Sequence, residues 1–165
     1  MDKADQIIIA INPGTRYVGF AIFRGRHLLD WGVSVINGNS PDAKLLKTKV
    51  LLSRFLTEYD PQYLVMKALH PSRQSSLLKT QYLTMLKVAQ SHRCQVVCYS
   101  IKEIKSFFGT RVAINKKRLA ALLCELQPAL RHAYQKEDDA LNPYHTRMFE
   151  AVALGMMCQK SEQDL

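Results

Sequence analysis

The chain contains no apolar run approaching the ~20 residues that a membrane-spanning helix requires, and no membrane partner is expected. Its start, MDKADQ, lacks the basic opening and apolar stretch of a signal peptide. A soluble, cytoplasmic protein is the expectation. Cysteine is scarce. The four present, Cys94, Cys98, Cys124 and Cys158, are separated by gaps of 3, 25 and 33 residues that match no paired zinc knuckle. They read as reduced thiols, with Cys94 and Cys98 flanking the apolar QVV as small hydrophobes. The five histidines, His27, His70, His92, His132 and His145, never fall at HxxxH spacing. Neither a metal held by His or Cys nor any other cofactor is expected. Acidic residues are also short in supply, with 14 Asp plus Glu against 23 Lys plus Arg and a net charge of +9. That excess favours polyanionic partners through summed attraction and counterion release, nucleic acid first among them. It is dispersed along the chain rather than gathered in a tail.

What is present is a folding domain. Apolar residues make up 47% of the 165 and charged ones only 22%, which excludes a disordered chain. The length suits one domain over residues 1–165 with a single core. QIIIAIN, YVGFAIF and LLDWGVSVI are punctuated by Arg24-Gly25-Arg26 and Asn37-Gly38-Asn39, which predicts a three-stranded antiparallel meander. Ser40-Pro41 then offers a cap and a first helical residue, and Leu45, Leu46, Val50, Leu52, Phe55 and Leu56 recur at helical spacing up to Pro61. YLVMKAL reads as a buried strand, HPSRQSS as a basic loop, Leu77 to about Ser91 as a helix and QVVCYS as the fifth strand. Beyond it come IKEIKSFFG, an amphipathic helix stopped by Gly109, then the loop TRVA and a helix from about Asn115 through Leu126. The polar QKEDDALNP reads as a loop, and a mostly buried helix begins near Tyr144. The fold class is α/β: a mixed five-stranded sheet, antiparallel meander then parallel strands, flanked by helices.

The stretch NPGTRYVG at Asn12–Gly19 resembles the D-P-G-[ST]-x-x-x-G signature of the RuvC-type Holliday-junction resolvases, within the ribonuclease H-like superfamily. The likeness continues in order through YLVMKALHPSRQSSLLKTQYLTML, YSIKEIKSFFGTRVAINKKRLAALL and RMFEAVALGMMC. The resemblance implies a ribonuclease H-like domain whose relatives hold two divalent ions with four carboxylates and hydrolyse phosphodiesters. Carried over position by position, those carboxylates fall on Asn12, Lys67, Arg147 and Glu150, of which one is acidic. Four carboxylates would carry −4, whereas Asn, Lys, Arg and Glu sum to +1. What the resemblance implies is therefore a pseudo-nuclease, with no catalytic residue and no metal. If Lys67 and Arg147 occupy the space of the ions, Glu150 is the counter-charge to both. Arg147 and Glu150, at i and i+3, equally suit a plain intrahelical pair.

Basic residues expected to converge on one sheet edge are the candidates for phosphate contacts: Arg16 in the first turn, His70 and Arg73 after the fourth strand, Arg111 in the TRVA loop, and Lys116 and Lys117 at a helix start, where the resemblance implies contact with the DNA backbone. DNA is expected ahead of RNA, and two copies of the chain could pair as resolvases do. Trp31 and Tyr17 read as packing residues, with base stacking the alternative. Two other function classes make different demands. An active structure-specific endonuclease would need substitute acids such as Glu103, Asp138 or Asp139. A phosphate-loop enzyme of the actin and sugar-kinase type needs two domains, for which this chain is too short.

Overall fold

The computed structural model describes residues 2–109, 113–140 and 145–163, without the side chains of 136–140 and 163. Its five strands are β1 (Ile7–Asn12), β2 (Tyr17–Arg24), β3 (His27–Val35), β4 (Tyr63–Lys67) and β5 (Gln95–Tyr99). They lie in the order β3-β2-β1-β4-β5, antiparallel from β1 to β3 and parallel from β1 to β5. The mixed α/β sheet expected from the sequence is present. All six residues of β1 are buried, as befits a continuous apolar strand covered on both faces.

Six helices flank the sheet: α1 (Pro41–Tyr59), α2 (Ser76–Ser91), α3 (Ile101–Phe108), α4 (Lys116–Leu126), α5 (Arg131–Ala140) and α6 (Thr146–Gln163). The period of two along the strands sorts the core into two layers. Ile8, Ala10, Ala21, Phe23 and Val65 pack with α6, α4 and α3. Ile7, Ile9, Ile11, Ile22, Leu64 and Met66 pack with α1 and α2. Helix α6 is buried at every residue from 148 to 155, so it behaves as an interior helix rather than a surface one. Ser40 caps α1 by accepting from Ala43 N at 3.1 Å, and the helix ends on Asp60 in the left-handed region at φ 46°. Trp31 packs against the α6-side core. No helix among the described residues is long and apolar enough to cross a membrane.

Three expectations are corrected. The polar run QKEDDA is helical through Ala140, as part of α5, rather than a loop; Lys, Glu and Ala are good helix formers, so polarity alone did not break it. Leu46 and Val50 are exposed at 62% and 60%, because Thr48, Leu52, Phe55 and Leu56 take the inward face of α1. Cys98 is exposed as well, since β5 is an edge strand; its Sγ lies 2.9 Å from the Tyr82 hydroxyl.

Candidate functional site

Parallel pairing of Ile11 with Met66 sets the next residues, Asn12 and Lys67, side by side at one rim of the sheet. By alternation with Ala10 and Val65 both face α6. That helix can approach because residue 19, paired with Asn12 on β2, is glycine: a Cβ there would run into the backbone of Arg147 and Met148. The start of α6 is thereby pressed onto the rim, and Glu150, one turn in, is 3% exposed.

Glu150 is held through one oxygen. Its Oε2 accepts from Lys67 Nζ at 2.6 Å and from Asn12 Nδ2 at 2.8 Å. Asn12 Nδ2 also lies 3.4 Å from the Arg147 carbonyl. Both neighbours of that amide are pure acceptors, so position 12 must present N–H groups. An aspartate there would set a second carboxylate against Glu150. The pair is asymmetric in exposure, the Lys67 side chain being 24% accessible and that of Glu150 4%.

Arg147 does not join this pair. Its Nη1 donates 2.9 Å to the carbonyl of Pro13, and among the described residues Glu150 ion-pairs with Lys67 alone. The shared counter-charge and the intrahelical Arg147–Glu150 pair are both corrected: the guanidinium reaches past Glu150 to the turn after β1, where Gly14 leaves it room. The next two carbonyls of that turn are held from the opposite face of the sheet. Gly14 O accepts from Gln81 Nε2 at 2.8 Å, and Thr15 O from Lys44 Nζ at 3.2 Å. Gln81 Nε2 lies 3.1 Å from Thr48 Oγ1 as well, while its own Oε1 has no partner among the described residues. Three successive carbonyls are thus tied to α6, α2 and α1.

Sequence reasoning missed Lys44, Thr48 and Gln81. A signal existed: Thr48 and Gln81 interrupt the buried stripes Thr48-Leu52-Phe55 and Gln81-Met85-Val88 with polar side chains, and a buried polar group needs a partner.

The other expected positions are more scattered. Arg16 is exposed on the same turn, its guanidinium 5.3 Å from the centre of the Tyr17 ring. His70 and Arg73 are exposed in the loop that leaves β4 after Lys67; His70 Nδ1 accepts from the Ser72 amide at 3.2 Å and lies 2.7 Å from its hydroxyl. Lys116 and Lys117 are exposed in the first turn of α4, which Asn115 caps. Arg111 lies outside the described residues. Of the substitute acids, Glu103 is committed to the capping box of α3 with Ser100, and Asp138 and Asp139 lie on α5 with side chains outside the described set.

A family model described as crossover junction endodeoxyribonuclease RuvC matches residues 8–142. The chain belongs to the RuvC family. Solved RuvC-like structures share its architecture over nearly its whole length. RuvC of Thermus thermophilus in complex with Holliday junction substrate aligns at a TM-score of 0.74 and 13% identity, covering 96% of each chain. The yeast mitochondrial Holliday junction resolvase aligns at 0.68 and 10%, over 97% of this chain and 81% of that one. The fowlpox virus Holliday junction resolvase aligns at 0.59 and 13%, over 94% and 99%. No curated protein is matched by sequence. The family match ends before α6, so Arg147 and Glu150 stand outside it.

The rim does not fit the pair of divalent ions that the resemblance to RuvC implies. Its one carboxylate already receives an ammonium and an amide on a single oxygen. A unit charge pair at 4 Å is worth about 4 kcal/mol at the effective dielectric near a protein surface, so a doubly charged ion beside Lys67 meets repulsion and lacks three ligands. Among the described residues no three His, Cys, Asp or Glu side chains gather elsewhere into a metal-sized cluster.

Proposed function

We propose that this RuvC-family domain binds nucleic acid, DNA in preference to RNA, and does not hydrolyse it. The observation that carries the reading is the Lys67 ammonium seated 2.6 Å from Glu150 Oε2, a cation where hydrolysis by the family's two-ion chemistry needs negative ligands. The net charge of +9 and the exposed Arg16, His70, Arg73, Lys116 and Lys117 support polyanion binding; Arg111 belongs to the same set by sequence. DNA is favoured because a relative of the same fold, Thermus RuvC, was solved with a Holliday junction. The reading extends to two copies acting together on one junction, which sedimentation with and without DNA tests, and to a site in the cytoplasm.

The deciding experiment offers labelled four-way junctions and linear duplexes to the purified protein in Mg²⁺ or Mn²⁺ and follows both cleavage and binding. Binding should fall steeply with salt and be indifferent to chelator, because Lys and Arg contacts release counterions. No nicks should form. Chelator-sensitive nicks that vanish on Glu150→Gln would overturn the reading in favour of an active structure-specific endonuclease.

A further inference from the structure

The turn between β1 and β2 is organised in a way that the missing metal ligands do not explain. Carbonyls 13, 14 and 15 are each bound by a side chain, and the Arg16 carbonyl accepts from Ile36 N at 2.8 Å. In a trans peptide the C=O of one residue and the N–H of the next point in opposite directions, and none of the peptide bonds is cis. Gly14 O and Thr15 O are drawn toward α2 and α1, so the amides of Thr15 and Arg16 are turned away from those helices. Neither amide donates to any described residue. Successive N–H groups pointing outward from a turn form an anion-binding concavity.

The charges around the turn have the matching sign. Arg147 sits on the Pro13 carbonyl with its fork against Gly14, and only one of its five donors is used there. Arg16 is exposed on the turn itself. Glu150, the buried acid of the rim, is matched by Lys67, and among the described residues neither Arg147 nor Arg16 has an ion-pair partner. Lys44, the remaining charged group that touches it, is also a cation.

We infer that the Pro13–Arg16 turn, with the Arg147 guanidinium, is a metal-independent phosphate site, its ligand a phosphodiester oxygen pair of bound nucleic acid. The N–H groups of Thr15 and Arg16 and the outer edge of Arg147 would then hold a phosphate with no ion between. Held from three helices, the turn needs little ordering on binding, which favours affinity. The inference deepens the nucleic-acid reading and rests on it for the identity of the ligand.

The test separates the two. Amide spectra of ¹⁵N-labelled protein are followed while inorganic phosphate replaces chloride at constant ionic strength, with excess EDTA present, and again while a short duplex is added. Saturable shifts of the Thr15 and Arg16 amides with both probes are expected. Arg147→Ala should weaken the phosphate response roughly tenfold, the worth of one charge-assisted hydrogen bond, and Arg147→Lys should recover part of it. Shifts spread over surface lysines without saturation, or Thr15 and Arg16 unmoved in the unaltered protein, would overturn the site even if DNA binds elsewhere. Phosphate-specific shifts without DNA binding would uphold the site and overturn the nucleic-acid ligand.

Discussion

The α-carbon of Gly19 faces the backbone of Arg147 so closely that a single added methyl group would meet the Arg147 carbonyl. Backbone cannot rotate aside as a side chain can. Gly19→Ala should therefore lift the start of α6 and cost about 1–3 kcal/mol, the usual range for overpacking. A urea melt measures it, and stability equal to the parent's would mean that α6 docks differently.

Removal of Lys67 should cost more than removal of Glu150. Lys67→Ala strands a carboxylate whose side chain is 4% exposed, whereas Glu150→Gln strands an ammonium that is 24% exposed and can turn to water. A loss of about 3 kcal/mol is expected for the former, and about 1 kcal/mol for the latter, because glutamine still offers Asn12 and Lys67 an acceptor oxygen. The reverse order in denaturant melts would place the buried charge on the lysine side.

Asn12→Asp, Lys67→Glu and Arg147→Asp, combined with the existing Glu150, put four carboxylates at the positions the family resemblance assigns. The folded variant should gain stability with Mg²⁺, by about 2.7 kcal/mol at a hundredfold excess over its dissociation constant. The parent should not. A folded variant indifferent to Mg²⁺ would show that the four positions do not share a metal-sized space.

Thiol chemistry should divide the cysteines one against three, Cys98 being exposed and Cys94, Cys124 and Cys158 buried. Burial pushes the Cys94 thiol from 9.0 up to about 11 and that of Cys158 to about 12. The Tyr63 hydroxyl, donating 2.7 Å to Glu162, is raised from 10.0 to about 12. Folding thus favours the protonated forms, so the associated stability is complete below the ordinary values of 9.0 and 10.0 and is lost as pH rises toward 11–12. One fast thiol and a melting temperature that falls above pH 9 are expected; two fast thiols would contradict the burial.

Much of this was legible in the chain. The strand ends at Asn12 and Lys67, the Ser40-Pro41 start of α1, the Asn115 cap and the all-round apolar α6 each have a local signature that tertiary packing did not override. Arg147 was misread because i and i+3 spacing names a neighbour but not a direction, and a long side chain on the first turn of a helix can reach a carbonyl beyond it. Leu46 and Val50 show the matching limit: apolar spacing marks a face without saying which face wins when two are available. Gln81 was the readable signal left unread. A polar residue in a buried stripe asks for a partner, and here that partner is the Gly14 carbonyl, 67 residues away.

Asn12 and Glu150 meet across 138 residues, which has a consequence for how the molecule comes into being. Strands β1 and β2 leave the ribosome well before α6, with Ala10, Ala21 and Phe23 on the face of the hairpin that α6 will cover. Because chains emerge N-terminus first, α6 arrives only after all five strands and helices α1 to α5. Until then the meander presents an apolar surface to the cell, the condition under which nascent chains recruit chaperones. The rim and the covering helix form in the same late event, so a ribosome-stalled chain ending before α6 would be sticky and incapable of assembling the site.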